Sequence, residues 1–159
     1  MVFKIHGVEC SYGSHHALKG VSLDIAPGSF LGIVGPNAAG KSTLLKTIAA
    51  TLKPTQGVVY FRGEDLTKIS RRDLARQVAV VPQEIEMHFP FSVMEVVLMG
   101  RHPHLDRFDR ESEHDYEIVR KSMESANCWH LKDRNVLELS GGERQKVILA
   151  RALAQEPQI

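Results

Sequence analysis

The sequence predicts an α/β fold: a mixed sheet with flanking helices in residues 1–83, followed by a helical subdomain in residues 84–159. Three observations carry this expectation. Short runs of alternating apolar residues fill the N-terminal half. A continuous apolar run at 29–34 passes through a Gly-rich turn into a helical pattern. After Gln83 the apolar period becomes helical.

Val2–Glu9 and Val21–Ile25 alternate apolar with polar or small residues, as half-buried strands do. Ser29–Val34 (SFLGIV) suits a strand buried on both faces. Leu44, Leu45, Ile48, Ala49 and Leu52 share one helical face, and Pro54 is expected to end that helix. Val58–Arg62 reads as a strand, Arg71–Arg76 as a short helix, and Val78–Val81 as a buried strand closed by Pro82. Beyond Gln83, Ser92 and Glu95 are spaced as a capping box before Val93, Val96 and Val97, with Gly100 as the stop. Arg101–Arg110 is a polar loop holding Pro103. Tyr116, Val119, Met123 and Ala126 then fall on one helical face. A last helix runs from Ser140 to about Gln155, before Pro157.

At 159 residues the chain buries roughly 70% of its unfolded surface, enough for a sizeable core. The net charge of +1, with no polybasic block or acidic tail, gives no electrostatic reason to expect nucleic acid as a partner. Cys10 and Cys128 have no metal-ligand spacing and read as reduced thiols of a cytosolic protein. No run of about 18 apolar residues occurs, so a membrane role requires a partner.

Gly35–Thr43 reads GPNAAGKST, a G-x-x-x-x-G-K-[ST] pattern between a buried-strand run and an amphipathic helix. Backbone N–H groups of such a loop converge on phosphates, and the helix N-terminus favours negative charge. Gly35, Pro36, Asn37, Ala38, Ala39, Gly40, Lys41, Ser42 and Thr43 are therefore the candidate ATP-binding residues. Lys41 adds a point charge near the β- and γ-phosphates, and Ser42 offers a hydroxyl to Mg²⁺. The plainer alternative is a strand-to-helix turn that is merely Gly-rich. If the loop needs a left-handed backbone at Ala38, alanine there costs roughly 1–2 kcal/mol. The motif fixes only Gly35 and Gly40, so Ala38 is expected to be tolerated.

Leu139–Gln145 reads LSGGERQ at the start of the last helix. A capping box explains Ser140 and Glu143 but not Gly141 and Gly142, each of which destabilises a first helical turn by about 1 kcal/mol relative to alanine. Glycines there make sense where something approaches the backbone closely. A second helix N-terminus is an anion site that a symmetric dimer can bring to the phosphate loop of another copy.

With GPNAAGKST upstream, LSGGERQ resembles the signature motif of the ATP-binding-cassette (ABC) family, and the resemblance covers essentially the whole chain. It implies a P-loop NTPase core and a helical subdomain. Tyr12, in CSYGSHHAL, matches the aromatic that stacks on adenine; taken alone it also fits a surface tyrosine at a strand end. Gln83, in VVPQE, matches the glutamine that contacts Mg²⁺ or water and reports nucleotide state, so Lys41 and Gln83 are the candidate catalytic residues. Ser140, Gly141 and Gly142 would contact a γ-phosphate held by a second copy. Phe89–Leu105 (FPFSVMEVVLMGRHPHL) resembles the same segment of importers for iron complexes (siderophore or haem) and cobalamin. That segment docks a membrane permease in the family, and Phe89 and Phe91 beside Pro90 would supply apolar contacts there; packing between subdomains explains them equally. His88, His102 and His104 read as surface residues rather than a metal site.

The resemblance implies an ATPase subunit on the cytoplasmic face of the cell membrane, a homodimer bound to permease subunits and meeting a periplasmic or surface binding protein only indirectly. The alternatives are a soluble ABC-type ATPase, a small-molecule kinase with the phosphate loop alone, and a nonhydrolysing ATP-binding module. In the family the signature helix precedes an apolar strand ending in Asp-Glu. Those residues do not occur before Ile159, and their strand would lie beside the 29–34 run. The expectation is weak ATP binding and negligible hydrolysis by residues 1–159 alone.

Overall fold

The computed structural model describes residues 1–83 and 89–159. They form two compact units, Met1–Arg71 and Arg72–Ile159. The sequence placed the boundary near Gln83. The difference comes from distant partners: residues 72–79 bond to positions 103–105 and 158–159. Arg72 donates to the carbonyls of Pro103 (2.9 Å) and Leu105 (2.6 Å), and the N–H groups of Gln158 and Ile159 donate to the Gln77 carbonyl.

The first unit is built on a hairpin of β1 (Phe3–Tyr12) and β2 (His15–Ile25). Helix α1 (Lys41–Ile48), β3 (Gln56–Phe61) and the short β4 (Glu64–Asp65) follow. The strands form an antiparallel sheet in the order β2-β1-β3-β4. Phe3 and Ile5 are buried, and so are Val8 and Cys10, so the inward parity of β1 changes midway. The left-handed Gly7 (φ 57°) stands at that change, where the register shifts, as a bulge requires. Helix α1 lies on this sheet with Leu44, Thr47 and Ile48 buried, and Thr47 Oγ1 is 3.5 Å from Cys10 Sγ. The helix is shorter than expected. Ala50 turns left-handed (φ 55°) well before Pro54, and Leu45 is 55% exposed, outside the expected apolar face.

Two expected strands do not form. Ser29–Val34 and Val78–Val81 pair with no described strand, and Phe30, Val34 and Val80 are exposed. An apolar run becomes a strand only where neighbours satisfy its N–H and C=O groups, and none of the described strands does so here.

The second unit opens with α2 (Arg71–Ala75), which begins at the border. Its body is α3 (Val93–Leu98), α4 (Glu113–Ser125) and α5 (Gly141–Ala154), around a core that includes Val93, Val97, Val119, Met123 and Val147. Tyr116, expected on the buried face of α4, is 46% exposed. Capping boxes start all three helices: Ser92 with Glu95, Ser112 with Asp115, Ser140 with Glu143. Trp129 is flanked by the Arg120 guanidinium at 5.4 Å and the Lys132 ammonium at 5.1 Å. Gly100 does not stop α3, because the chain continues into a 3₁₀ turn over Met99–His104. A Cβ at Gly100 would strike the Arg151 carbonyl and stand 3.1 Å from the Ala154 Cβ, so glycine is needed there for close packing on α5.

Candidate functional site

The phosphate-loop residues 35–43 belong to the first unit. Gly35 to Ala39 form an exposed turn closed by a hydrogen bond from Ala39 N to Pro36 O (3.3 Å). Ala38 is left-handed (φ 64°), so the penalty foreseen for an alanine applies. Ala38→Gly is expected to raise the stability of this unit by about 1 kcal/mol and to leave nucleotide affinity intact. Urea unfolding alongside ATP titration checks this; affinity appearing only in the glycine variant would show that alanine had closed the site.

Gly40 caps α1 in the left-handed region (φ 86°) with no side-chain hydrogen bond, and the first turn of α1 holds no acidic residue. The first N–H groups of α1 therefore have neither a capping side chain nor a local negative charge. The Lys41 ammonium donates to the carbonyls of Gly35 (2.8 Å) and Pro36 (2.7 Å), which holds its charge over the loop. Ser42 is exposed and Thr43 is buried against the sheet. A Cβ on Gly40 would strike the Ala17 carbonyl of β2 and come within 2.9 Å of Leu18 Cδ2. The loop thus ends against the same hairpin whose tip carries Tyr12. That ring is 49% exposed and lies opposite His15 across the turn.

The other candidate residues lie in the second unit. Ser140 Oγ accepts from Glu143 N (3.3 Å), and Glu143 Oε2 accepts from Ser140 N (2.8 Å) and Oγ (2.7 Å). The Ser140 hydroxyl and N–H together hold the Glu143 carboxyl below its usual range. The box leaves the N–H groups of Gly141 and Gly142 outside it. A Cβ at either glycine would meet nothing within 4 Å, so no contact in this unit demands glycine there. The uncapped start of α1 beneath the Lys41 ammonium, and the open space at Gly141 and Gly142, fit phosphate oxygens of ATP at the backbone. Gln83 is exposed.

Phe89 and Phe91 are exposed, with ring centroids 6.1 Å apart. His88 lies outside the described residues. His104 Nε2 is 2.9 Å from the Gln155 carbonyl, and His102 is exposed. Cys10 and Cys128 are buried free thiols in different units, and burial raises the Cys128 thiol.

A buried ion pair was not foreseen from the sequence. Arg101, expected in a polar loop, is 3% exposed. It donates to Asp115 Oδ1 (2.8 Å), the Ala154 carbonyl (2.8 Å) and Glu156 Oε2 (2.8 Å). Burial would raise the Asp115 carboxyl, but the Ser112 hydroxyl and N–H and the Arg101 guanidinium outweigh it and bring it down to about 2. The Ser112–Asp115 spacing was the available sequence signal for one end of this pair.

A phosphate cradle and a glycine-bearing capped helix in one chain define a nucleotide-binding cassette. Residues 18–159 match the family model described as ABC transporter, and the chain belongs to that family. Its fold is that of the ABC ATPase cassette, a P-loop NTPase. It is 44% identical over 158 residues to an uncharacterized ABC transporter ATP-binding protein of Methanocaldococcus jannaschii, covering 99% of this chain and 54% of the relative. It is 44% identical to the hemin import ATP-binding protein HmuV of Pseudomonas entomophila (95% of this chain, 58% of the relative). It is 41% identical to the cobalamin import ATP-binding protein BtuD of Halobacterium salinarum (98% and 38%). The chain spans about half the length of the curated relatives it matches. Among solved structures, an ATP-binding cassette in its ADP conformation superposes with a TM-score of 0.80 at 30% identity, over 98% of this chain and 65% of that one. A dimeric bacterial cassette superposes at 0.81 and 28% identity, over 98% and 70%. No helix among the described residues is long and apolar enough to cross a membrane.

Proposed function

We propose that this chain is the nucleotide-binding part of an ATPase subunit that energises uptake of a metal chelate through a membrane permease. The chelate is of the siderophore, haem or cobalamin type. The observation that supports the ATP part is the uncapped, acid-free start of α1 beneath the Lys41 ammonium, together with the open glycines Gly141 and Gly142 at the start of α5. The cargo class rests on likeness to the hemin and cobalamin import proteins.

In this reading the N–H groups of the loop and of the first turn of α1 hold the phosphates, while Lys41 leaves the Gly35 and Pro36 carbonyls to pair with phosphate oxygens. Tyr12 stacks on the adenine. Ser42 would offer its hydroxyl to Mg²⁺, which when bound would neutralise charge on the β- and γ-phosphates, and Gln83 is the other candidate ligand. Ser140, Gly141 and Gly142 donate to the γ-phosphate held by a second copy, so ATP closes two copies together. Gln83 and the Phe89–Phe91 segment carry that closure to permease subunits at the cytoplasmic face of the membrane. A binding protein outside the membrane meets the chain only through the permease, and no nucleic acid is involved. Among the described residues we assign no side chain as base for the attacking water, and hydrolysis by residues 1–159 alone is expected to be negligible.

The test is chelate uptake into proteoliposomes that hold the complete subunit with its permease. Uptake of haem or cobalamin driven by Mg-ATP, and lost on Lys41→Ala, supports the reading. A subunit that turns over ATP without associating with any permease favours a soluble ABC-type ATPase instead.

A further inference from the structure

The end of α5 opposite the Ser140–Gly142 cradle is fastened on two sides, within one unit. On one side Gln155 Nε2 donates to the carbonyls of Val78 (2.9 Å) and Ala75, in the stretch that leads to Gln83. On the other side stands the 3₁₀ turn that follows α3. Its Gly100 lies against the Arg151 carbonyl, its His104 meets the Gln155 carbonyl, and its Arg101 holds Ala154 and Glu156 while paired with Asp115 of α4. Glu156 adopts a left-handed backbone (φ 52°), an unfavourable geometry for any residue but glycine, with its carboxylate on Arg101.

We propose that Arg101 is a positioning residue: by latching the C-terminal end of α5 to the turn after α3, it sets the direction in which α5 presents Ser140–Gly142. This deepens the proposed function and rests on its contact between the signature helix and a second copy's nucleotide. At ~1.5 Å per residue the 14-residue α5 is about 21 Å long, so a tilt of roughly 10° at the latch moves its N-terminus by about 3.5 Å. Hydrogen bonds to phosphate tolerate only a few tenths of an ångström. The guanidinium suits the task because one planar group donates at once to a carboxylate of α4, a carbonyl of α5 and the Glu156 carboxylate. The turn it belongs to is continuous with α3, which starts beside Phe89–Phe91. Movement of that segment therefore reaches the Ser140 end through the latch.

The experiment measures two affinities of the full chain: for a fluorescent ATP analogue, and for a second copy by sedimentation with ATP. Arg101→Met is expected to keep nucleotide affinity within about twofold and to weaken ATP-driven association by about tenfold or more, with Arg101→Lys intermediate. Gly100→Ala, which prises the same joint apart sterically, is expected to give the same split. If Arg101→Met does not fold, Glu156→Ala removes the exposed arm of the latch alone, and a loss of association of about threefold is expected. Unchanged association in these variants overturns the proposal, as does an equal loss of both affinities in a variant that keeps its helical signal. Failure of the unsubstituted chain to associate with ATP overturns the contact with a second copy, and the latch's role with it.

Discussion

Lys41→Ala is expected to weaken ATP binding by about ten- to a hundredfold while leaving the fold intact. The ammonium of Lys41 sits over the phosphate loop, 2.8 Å from the Gly35 carbonyl and 2.7 Å from that of Pro36. A charge-assisted hydrogen bond contributes roughly 1.5–3 kcal/mol, and each 1.4 kcal/mol is a tenfold change in affinity. The loss falls on binding rather than folding because the two bonds that disappear are exposed and water replaces the donor. Titration with ATP at two salt concentrations checks this. The variant should lose most of the salt dependence along with the affinity, since the surviving cradle is made of backbone dipoles. Arginine is not expected to restore binding, because its fork is wider than a gap bounded by two adjacent carbonyls. Equal affinity in Lys41→Ala would remove the phosphate loop from the site.

Gly40→Ala is expected to destabilise the first unit by roughly 3 kcal/mol or more and to abolish ATP binding with it. Two penalties combine. The left-handed backbone (φ 86°) disfavours any Cβ by about 1–2 kcal/mol. The added carbon would also strike the Ala17 carbonyl and approach Leu18 Cδ2 to 2.9 Å, so either the start of α1 or strand β2 must shift. Ala38, also left-handed, escapes the second penalty because its turn is exposed. Hydrogen exchange resolves the two positions: Gly40→Ala should speed exchange across β1 and β2, whereas Ala38→Gly should slow it. Wild-type exchange rates in Gly40→Ala would mean that the loop and hairpin are not packed as described.

The features legible in the sequence were those whose cause is local. The Ser92–Glu95 and Ser140–Glu143 boxes, the extent of α5 and the left-handed strain at Ala38 each depend on a few consecutive residues. Features set by distant partners were not legible. Ser29–Val34 and Val78–Val81 looked like buried strands, yet an apolar run says nothing about whether a neighbouring strand is there to pair with it. Gly100 looked like a helix stop because glycine serves both stops and close packing, and only the carbonyl of Arg151 decides between them. Arg101 looked like a loop residue. Its partners lie 14 and 55 positions away, beyond the reach of any periodicity. The boundary at Arg71 escaped for the same reason, since residues 72–79 bond to the end of the chain.

The cation-flanked indole of the second unit supplies a reporter that needs no labelling. Trp129 is the single tryptophan of the chain, so intrinsic emission excited near the red edge of absorption comes from the helical unit alone. Tyr12 and Tyr60 lie in the sheet unit, Tyr12 at the hairpin tip beside the candidate nucleotide site. With Tyr116 of α4 replaced by phenylalanine, the remaining tyrosine signal comes from the sheet unit, and tyrosine and tryptophan signals followed together through a denaturant titration separate the melting of one unit from that of the other. Nucleotide that protects only the tyrosine transition is seated on the loop, and nucleotide that also shifts the tryptophan transition has engaged the signature helix.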